Sequence, residues 1–439
     1  MSAKFHQISL KETFSECQDL FIDDAPSLFQ LLDEHLDLES FIPDSFFNAF
    51  YRSLGRKRLY PLSVFLAALI LQKILSIPTD SLLILFLNLC KELRDFCGFH
   101  KVPDAPLFTR FKQDFLPFIE EMFHQLVDFT EPICLAIDSS LAQMLTFDTA
   151  GIELYVTENN PKTLNALIRR LKAYYKDNPE VDPYMMAYGL MPSQAASSPH
   201  AKQLYINGHF CHANEFAILT NGLGIIRHIT FLDDVKQLHP HFQPNTFLGD
   251  SAFDTIDTYG FLKNKFHISR ALIPYNTRNE SSLDKVGYNL YGYPTCPKDP
   301  PLDMKYLGHC HEKGRADRDK WGCPKVHMVK GQWVCDCTEP CSTAKGRTTY
   351  TYENMDFRIF PGIQRDTDEW ESLYKIRTIV ERAINHFKIN MCVAGRRTRN
   401  HITTKADVFL AGIASQLTVI VAYRMNSPQY IRSLKPLAA

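Results

Sequence analysis

Near the C-terminus, four side chains that can bind phosphate or metal recur at helical spacing. At about 100° per residue, they fall within an arc of ~60° on one face of a helix. Apolar residues fill the remaining surface, so the helix can pack while the polar stripe stays accessible. A carboxylate flanked by basic side chains suits a metal ligand among phosphate contacts, although a solvated face with an i, i+4 ion pair is the alternative. The four residues are Tyr374, Arg377, Glu381 and Lys388.

Two further carboxylates follow short apolar runs that the sequence predicts to be strands. Asp138 follows the run at 133–137, and Asp250 follows the run at 245–249. A carboxylate at a strand end can face a cleft without being buried unpaired. Together with Glu381, the two aspartates would hold hard cations, Mg²⁺ or Mn²⁺, through oxygen ligands. An Asp after an apolar run is also a common turn former or helix N-cap, and Asp250 or Asp254 could each have only that role.

These motifs, in this order, resemble the insertion-sequence-4-like group of bacterial DDE transposases. The segment 374–388 has the spacing Tyr-x2-Arg-x3-Glu-x6-Lys, which is the signature of that group. Asp138 in an Ile-Asp-Ser-Ser context and Asp250 in a Gly-Asp-Ser-Ala-Phe-Asp context look like its first and second catalytic aspartates. The resemblance covers residues 60–425 and implies a ribonuclease-H-like core in which Asp138, Asp250 and Glu381 bind two divalent metals.

The resemblance implies a DNA transposase that cleaves at transposon ends and transfers the strands into target DNA. DNA contacts are expected from Tyr374, Arg377 and Lys388, and from Arg396 and Arg397 in the same basic run. The expected partners are double-stranded terminal inverted repeats and target DNA, held by a homodimer. The alternatives are a ribonuclease-H-like nuclease without strand transfer and a domesticated DNA-binding protein that keeps the fold and not the chemistry. The intact carboxylates argue against the second.

The charge distribution favours a nucleic-acid partner more than the net charge does. The formal net charge of the 439-residue chain is −1, which argues mildly against DNA binding. Residues 1–50 carry ten Asp/Glu against two Lys/Arg, whereas residues 375–405 carry eight Lys/Arg against Glu381 alone. This asymmetry places a basic footprint beside the predicted active site.

The order of predicted elements indicates an α/β protein with an N-terminal helical domain. In that domain, Thr109, Arg110 and Lys112 lie on a predicted helix at 107–118, and a helix-turn-helix-like DNA contact and plain packing are both compatible with it. Five strands are predicted at 133–138, 210–220, 225–232, 245–249 and 268–274, the second and third forming a hairpin. The predicted domains are 1–130 (helical), 131–275 (first part of the core), 276–355 (Cys-rich insertion), 356–425 (second part of the core) and 426–439 (tail).

The predicted insertion is rich in cysteine, and four thiolates could close a tetrahedral Zn²⁺ site. The predicted zinc ligands are Cys323, Cys335, Cys337 and Cys341, with Cys296, Cys310 and His311 as replacements. Reduced, unligated thiols are the alternative. Trp321 and Trp333 stand among basic residues, a combination that binds phosphates and stacks an unpaired base, although both rings could instead form the core of the insertion.

The sequence predicts a cytoplasmic protein that does not enter a membrane. Lys4 is followed by polar residues rather than by a long apolar core, so a secretory signal is not expected. The apolar runs at 62–71 and 82–89 are too short to span a bilayer, and the run at 408–423 is interrupted by polar residues. Twelve cysteines in such a chain suggest thiols or metal ligands in a reducing compartment.

Overall fold

The structure of the protein is a computed structural model that describes most of the chain between Ser27 and Leu437. Helices form the first part of the chain, strands dominate its middle, and a long helix lies near its end. The described residues are 27–51, 57–178, 180–206, 208–229, 239, 242–274, 276, 287, 293–341, 346–352, 362–363, 365, 367–394 and 400–437.

Seven α-helices are described between residues 27 and 137, and local sequence signals set several of their ends. Thr79 accepts a hydrogen bond from the Leu82 amide at 3.1 Å and begins one helix as its N-cap. Gly98 ends the next helix in the left-handed conformation, with φ of 83°. The helices are α1 (Ser27–His35), α2 (Asp44–Phe50), α3 (Leu62–Ile74), α4 (Asp80–Leu89), α5 (Lys91–Cys97), α6 (Ala105–Asp114) and α7 (Leu116–Ile137).

The prediction of a strand at 133–138 was wrong, because these residues form the last turn of α7 and its C-cap. Ile133 and Cys134 are buried while the next two residues are exposed, so one face of a helix packs. A short apolar run looks the same in a buried helix and in a buried strand, which is why periodicity misled the prediction. The predicted domain boundary after residue 130 therefore falls inside a continuous helix.

A six-stranded mixed sheet follows, ordered β2-β3-β1-β5-β6, with β4 paired to β3. β1 is antiparallel to β3 and parallel to β5, and β5 is parallel to β6. β3 is long enough to pair with β2 near its start and with β4 near its end. The strands are β1 (Met144–Glu153), β2 (Lys202–Ile206), β3 (His209–Asn221), β4 (Ile226–Ile229), β5 (Thr246–Leu248) and β6 (Arg270–Leu272).

Four of the five predicted strands are confirmed as β3, β4, β5 and β6. The predicted hairpin between β3 and β4 is also confirmed, and Asn221 shapes it by accepting hydrogen bonds from the amides of Leu223 and Ile225. Gly222 is required in this turn, since a Cβ there would lie 2.7 Å from the carbonyl oxygen of Leu141. The sequence did not predict β1 or β2.

Helices cover the sheet and connect its strands. Among the described residues, four helices lie between α7 and β6: α8 (Ser139–Ala142), α9 (Pro161–Tyr174), α10 (Pro183–Gly189) and α11 (Ile256–Phe266). Three more are described later in the chain: α12 (Asp368–Tyr374), α13 (Thr378–Asn385) and α14 (His401–Arg424). Phe147 and Phe247 of the sheet pack against Tyr259 of α11 on one side. On the other side, Ile218 and Ile229 belong to the main core with α7 and α14.

The main hydrophobic core joins the N-terminal helices to α14 and to the end of the chain. It contains buried residues from Leu28 in α1 to Leu434 beyond α14. The predicted tail is therefore packed rather than loose, and the Ser27 hydroxyl donates to the carbonyl of Leu437 at 2.7 Å. α14 is long and apolar enough to cross a membrane, but 89% of its most apolar window is buried inside the protein, as in the core helix of a globular domain.

A network of buried charges ties the same helices together. Lys112 of α6 lies 2.8 Å from Asp80 and 3.0 Å from Asp407 of α14, and Lys73 of α3 lies 3.2 Å from Asp407. Lys73, Lys112 and Asp407 are all fully buried. Of the two alternatives that the sequence left open for this helix, packing applies to Lys112, since its ammonium group is held inside the protein.

The predicted insertion forms a small lobe of short antiparallel strands. β10 (Arg318–Gly322) lies between β9 (Lys305–Cys310) and β13 (Thr348–Tyr352), and the other four strands form two hairpin-like pairs. Those pairs are β7 (Thr295–Cys296) with β8 (Asp299–Asp303), and β11 (Val326–Val329) with β12 (Gln332–Cys335).

Candidate active site

Two aspartates lie near each other beside the adjacent parallel strands β1 and β5: Asp148 is in β1, and Asp250 stands two residues beyond the end of β5. The register aligns Met144 with Thr246 and Thr146 with Leu248. Extended by two residues, it brings Asp148 beside Asp250, and neighbouring strands are only ~4.8 Å apart. Successive side chains of a strand alternate between faces, and Phe147 packs against the α11 side. Asp148 therefore faces the opposite side of the sheet, where α13 packs on β1 and β3.

Asp138 lies before the start of β1, four residues or more along the strand from Asp148. It is the N-cap of α8, where its Oδ1 accepts a hydrogen bond from the Leu141 amide at 2.9 Å. The Leu141 carbonyl accepts from the amide of Gly222, beyond the end of β3. Four strand positions, ~13 Å, separate Met144 at the start of β1 from Asp148. The predicted first carboxylate is thus a capping residue, and Asp148 occupies the position next to Asp250.

Asp250 follows β5 directly, as the sequence predicts for the second carboxylate. Its Oδ1 accepts from the Ser251 hydroxyl at 3.0 Å and from the Ala252 amide at 3.3 Å. The residue is exposed, so its second oxygen faces solvent on the site. A carboxylate held by such local hydrogen bonds has a fixed orientation before any cation binds.

Glu381 lies on α13. The helical segment that carries the predicted stripe is not a regular α-helix along its whole length. A 3₁₀ turn (Lys375–Arg377) precedes α13, and a π-helix (His386–Asn390) follows it. The first turn of α13 therefore presents Glu381 toward β1, while the wider π turn changes the direction of Lys388 relative to an ideal helix. π-helical turns often mark functional sites.

Arg377 and Tyr374 complete the cluster around Glu381. The Arg377 guanidinium lies 2.5 Å from Oε1 of Glu381 and 5.7 Å from the centre of the Tyr374 ring. That ring stacks on Trp370 with centroids 4.6 Å apart, which fixes it at the end of α12. The sequence predicted that these three side chains lie together on one face. The alternative that it left open for this face, an i, i+4 ion pair between Arg377 and Glu381, is present as well.

The electrostatics of the site reveal crowded negative charge. Burial raises the pKa of the Asp148 carboxyl above its usual range, and the nearby carboxylates of Glu381 and Asp250 raise it further, although Arg377 opposes them. Burial also raises the pKa of the Tyr374 hydroxyl, with Asp250 and Glu381 contributing. Asp250 and Glu381 therefore lie close enough to Asp148 to act on its ionisation. The ligand atoms of the three carboxylates do not all lie within 4.8 Å of one another, so a shared divalent cation would require them to move closer together.

The other predicted DNA-binding residues lie farther along the same helical segment. Lys388 is in the π-helix, near enough to Cys211 of β3 to lower the pKa of that thiol, which burial raises. Arg396 and Arg397 lie outside the described residues. Two basic side chains that the sequence did not single out, Arg382 and Arg432, line a cleft of ≈ 430 Å³ that also contains Glu381. Burial lowers the pKa of Arg432, and the charge of the nearby Arg382 lowers it further.

Asp254 has a structural role. It is 1% exposed, and its oxygens accept from the Tyr259 hydroxyl at 3.2 Å and the Asn276 amide at 2.9 Å. Arg365 donates to the same Tyr259 hydroxyl at 2.6 Å. These contacts fix α11 against the sheet, and they separate Asp254 from the open site that Asp250 faces.

The cysteines of the small lobe gather around Cys323. Burial raises the pKa of the Cys323 thiol, and the nearby thiols of Cys335, Cys296 and Cys341 raise it further. A hydrogen bond with Cys335 raises the pKa of Cys337. Cys296, held in reserve by the sequence interpretation, is thus part of the group. By contrast, Cys310 and His311 lie elsewhere in the lobe: Cys310 affects Arg318, and His311 pairs with Asp317.

The two tryptophans of the lobe differ in environment. Trp321 is 7% exposed, donates to the Thr351 hydroxyl at 2.9 Å and packs against Tyr293 and Tyr306, so it belongs to the core of the lobe. Trp333 is 45% exposed on the β11–β12 hairpin, opposite Met328. Only the second ring is available to stack on a partner.

A sequence signal for Asp148 was present but was not used. The run Met144-Leu145-Thr146-Phe147 contains residues that favour strands, and Asp148 follows it. In a strand, Asp148 would point to the same face as Thr146. The stronger apolar run at 133–137 drew the strand assignment instead. The register between β1 and β5, which identifies Asp148, depends on tertiary structure.

Comparisons with known proteins give one match. Residues 16–114 match the family model of a transposase domain (DUF772). Neither the curated proteins nor the solved structures contain a match. The match relates this chain to transposases in general, and it ends before β1, so it does not include the three carboxylates.

Proposed function

We propose that the protein is a DDE-type DNA transposase in which Asp148, Asp250 and Glu381 bind divalent metal. The observation that carries this proposal is the electrostatic proximity of Asp250, two residues beyond β5, and of Glu381 on α13 to Asp148 on β1. The transposase-domain match at residues 16–114 supports the same class from an independent part of the chain. Relative to the sequence interpretation, Asp148 replaces Asp138 as the first catalytic carboxylate.

The strand order supports a ribonuclease-H-like core as part of this proposal. β4, β3 and β1 form an antiparallel meander, and β5 and β6 extend the sheet in parallel with β1. That order, with a carboxylate helix placed on one face, is the arrangement that the resemblance implied. β2 adds a strand beside the first half of β3, and the lobe of 293–352 is inserted between β6 and α13.

Each carboxylate has a defined part in the proposed reaction. A pair of bound Mg²⁺ or Mn²⁺ ions would activate water, or later a 3′-hydroxyl, and stabilise the leaving oxygen of an in-line displacement. Asp148, Asp250 and Glu381 would together supply the oxygen ligands of these ions. Arg377 pairs with Glu381 at 2.5 Å, and it would be available to a DNA phosphate if Glu381 were taken up by a cation.

Basic side chains around the carboxylates are proposed to hold the DNA backbone. Arg377 and Lys388 would neutralise phosphates, and the Tyr374 hydroxyl would donate to one. Arg382 and Arg432 offer two further cationic groups in the cleft beside α13. Arg396 and Arg397 stay in the proposal as predicted contacts. The exposed Trp333 is suited to stacking on an unpaired base near the cut.

The Cys-rich lobe is proposed to bind one structural Zn²⁺. Cys323 is the centre of the set, with Cys335, Cys341 and either Cys296 or Cys337 as the other ligands. Zinc would hold together the three-stranded sheet and the two strand pairs of the lobe. The four originally predicted ligands are retained, with Cys296 as an additional candidate.

We further propose that a homodimer holds the paired DNA ends in the cytoplasm, since the reaction joins two ends of one element. An assay with precut ends separates a transposase from a nuclease without strand transfer. Purified protein is mixed with Mn²⁺, a labelled fragment carrying the DNA that flanks its gene, and a supercoiled target. Covalent joining of the label to the target is expected. Cleavage without joining would favour the nuclease, and intact DNA under all conditions would reject both.

A further inference from the structure

Three histidines meet at the junction of α7, β4 and the segment at residue 239, well apart from the carboxylates. His124 is on α7, His228 is on β4, and His239 follows β4. A ligand atom from each lies within 4.8 Å of the others. His228 and His239 are each 2% exposed, and His124 is half-buried. The cluster thus has two enclosed imidazoles and one that borders solvent.

The spacing of the rings suits a shared metal ion. His124 Nδ1 and His239 Nε2 are 3.1 Å apart. A tetrahedral metal with metal–nitrogen distances of about 2.0–2.1 Å places its ligand atoms ~3.4 Å from one another. The ring centroids are 5.1 Å apart for His124 and His239, and 5.3 Å apart for His124 and His228. The ligand atom of His228 lies within 4.8 Å of the other two, so side-chain rearrangement would complete the shared site.

Asp128 supplies the outer partner that metal-binding histidines commonly have. Its Oδ1 lies 2.8 Å from Nδ1 of His239, one helical turn beyond His124 on α7. A carboxylate in this position holds the proton on Nδ1 and leaves Nε2 as a lone pair directed at His124. The tautomer required for a metal ligand is therefore the one that this contact favours.

The two cations nearest the cluster are each paired with a carboxylate of their own. Lys405 lies 3.3 Å from Glu120, and Arg227 lies 3.4 Å from Glu131. Neutral imidazole is the form that binds metal.

We infer that His124, His228 and His239 form a binding site for a single transition-metal ion of the zinc class, with Asp128 as the orienting carboxylate. Three neutral imidazoles without a carboxylate ligand favour Zn²⁺ or its neighbours over Mg²⁺ or Ca²⁺. The side of His124 that borders solvent leaves a fourth position for water. The site is distinct from the proposed active site, because β3 lies between β4 and the strand of Asp148.

The site would fasten the sheet to the N-terminal helices. His124 belongs to α7, which packs on α14 within the main core, and β4 is bonded only to β3 among the described strands. A metal shared by the two would hold the edge strand and the chain after it against α7. This inference does not depend on the transposase proposal.

The test measures zinc in the full-length protein, purified without an affinity tag and without chelator. The variant is His124→Gln, the most exposed of the three ligands, and the control is His401→Gln, which removes an exposed histidine outside the cluster. The inference predicts that His124→Gln loses one equivalent of zinc relative to wild type and that the control loses none. Asp128→Asn should retain the metal with affinity weakened about 10- to 100-fold.

X-ray absorption at the zinc edge distinguishes zinc bound by histidines from zinc bound by thiolates. It uses the wild-type protein, so the result does not require that any variant folds. Nitrogen neighbours at about 2.0–2.1 Å with imidazole scattering are expected beside sulfur at about 2.3 Å. A spectrum with sulfur alone, or equal zinc content in His124→Gln and wild type, would overturn the inference and leave a hydrogen-bonded chain from Asp128 through His239 to His124.

Discussion

The carboxyl of Asp148 is held between two others, and the cost of ionising it is the clearest chemical property of the site. Burial raises its pKa first, and Glu381 and Asp250 add to the effect. In the unfolded chain the same group titrates near ~3.9. The folded protein therefore binds this proton more tightly than the unfolded chain does, so ionisation above that pH lowers the free energy of unfolding.

Asp148→Asn is accordingly expected to stabilise the metal-free protein at neutral pH. The gain in Tm should be small near pH 4, grow as the pH rises to 7, and shrink again when Mg²⁺ or Mn²⁺ is added, because a cation offsets the same repulsion. Calorimetry across this pH range measures it. Asp138→Asn is the matched control: Asn caps a helix as well as Asp does, so no pH-dependent gain is expected. Equal behaviour of the two variants would remove Asp148 from the site.

At the scale of elements, the buried charges between α3, α6 and α14 fix how the N-terminal helices sit on the core. Asp407 is fully buried between Lys73 and Lys112, and Lys112 also reaches Asp80. Removing one partner of a buried ion pair leaves an uncompensated charge, which typically costs about 3–5 kcal/mol. The more exposed pair of Lys405 and Glu120 is worth at most about 1 kcal/mol.

Asp407→Ala is therefore expected to lower the free energy of unfolding by about 3–5 kcal/mol, measured by urea denaturation. Lys405→Ala, two residues away on the same helix, is the control and should change it by about 1 kcal/mol or less. Similar losses in both variants would mean that the buried network does not hold these helices in place.

In the proposed zinc site, the stability of the lobe of 293–352 would depend on its thiols. If zinc is bound around Cys323, a chelator should increase amide hydrogen exchange in this lobe before it does so in the main sheet. Cys323→Ser should remove one equivalent of zinc, whereas Cys310→Ser should not, because Cys310 lies apart from the group. Chelation that leaves exchange in the lobe unchanged would favour reduced, unligated thiols.

Local sequence patterns predicted some elements and not others, for physical reasons. The turn at 221–224 and the strands ending at Leu248 and Leu272 were predictable, because turn residues and apolar runs are local signals. The run at 133–137 was assigned to a strand because apolar runs do not distinguish a buried strand from a buried helix. Asp148 was missed for a different reason: its place in the site depends on the register of β1 against β5, which is tertiary structure.

The candidate site was predictable where its residues share one helix. Arg377 and Glu381 are four positions apart, and the structure pairs them as helical geometry requires. Lys388 was placed on the same stripe by assuming a regular helix, and the π turn at His386–Asn390 alters that geometry. The His124 cluster could not be found from sequence, because its three ligands come from elements far apart along the chain.

At the scale of the whole molecule, one core joins the transposase-domain segment to the end of the chain. Residues of α1 to α7 and of α14 share it, so the N-terminal helices and the carboxylate site are mechanically connected. The proposed reaction on two DNA ends would therefore involve two copies of the whole chain. Mass photometry should show the monomer mass of 50.5 kDa double on DNA that carries a terminal repeat. A single chain per DNA end pair would contradict the proposed dimer.

The central claim is that Asp148, Asp250 and Glu381 perform metal-dependent cleavage of DNA, and cleavage by matched variants tests it most directly. The DNA that flanks the gene is incubated with Mn²⁺ and with wild type, Asp148→Asn or Asp138→Asn. Because a catalytic metal contributes several kcal/mol and each ~1.36 kcal/mol is tenfold in rate, Asp148→Asn should slow cleavage about 10³-fold or more, with DNA binding retained. Asp138→Asn should cleave at nearly the wild-type rate. Wild-type cleavage by Asp148→Asn, with loss in Asp138→Asn, would contradict the account.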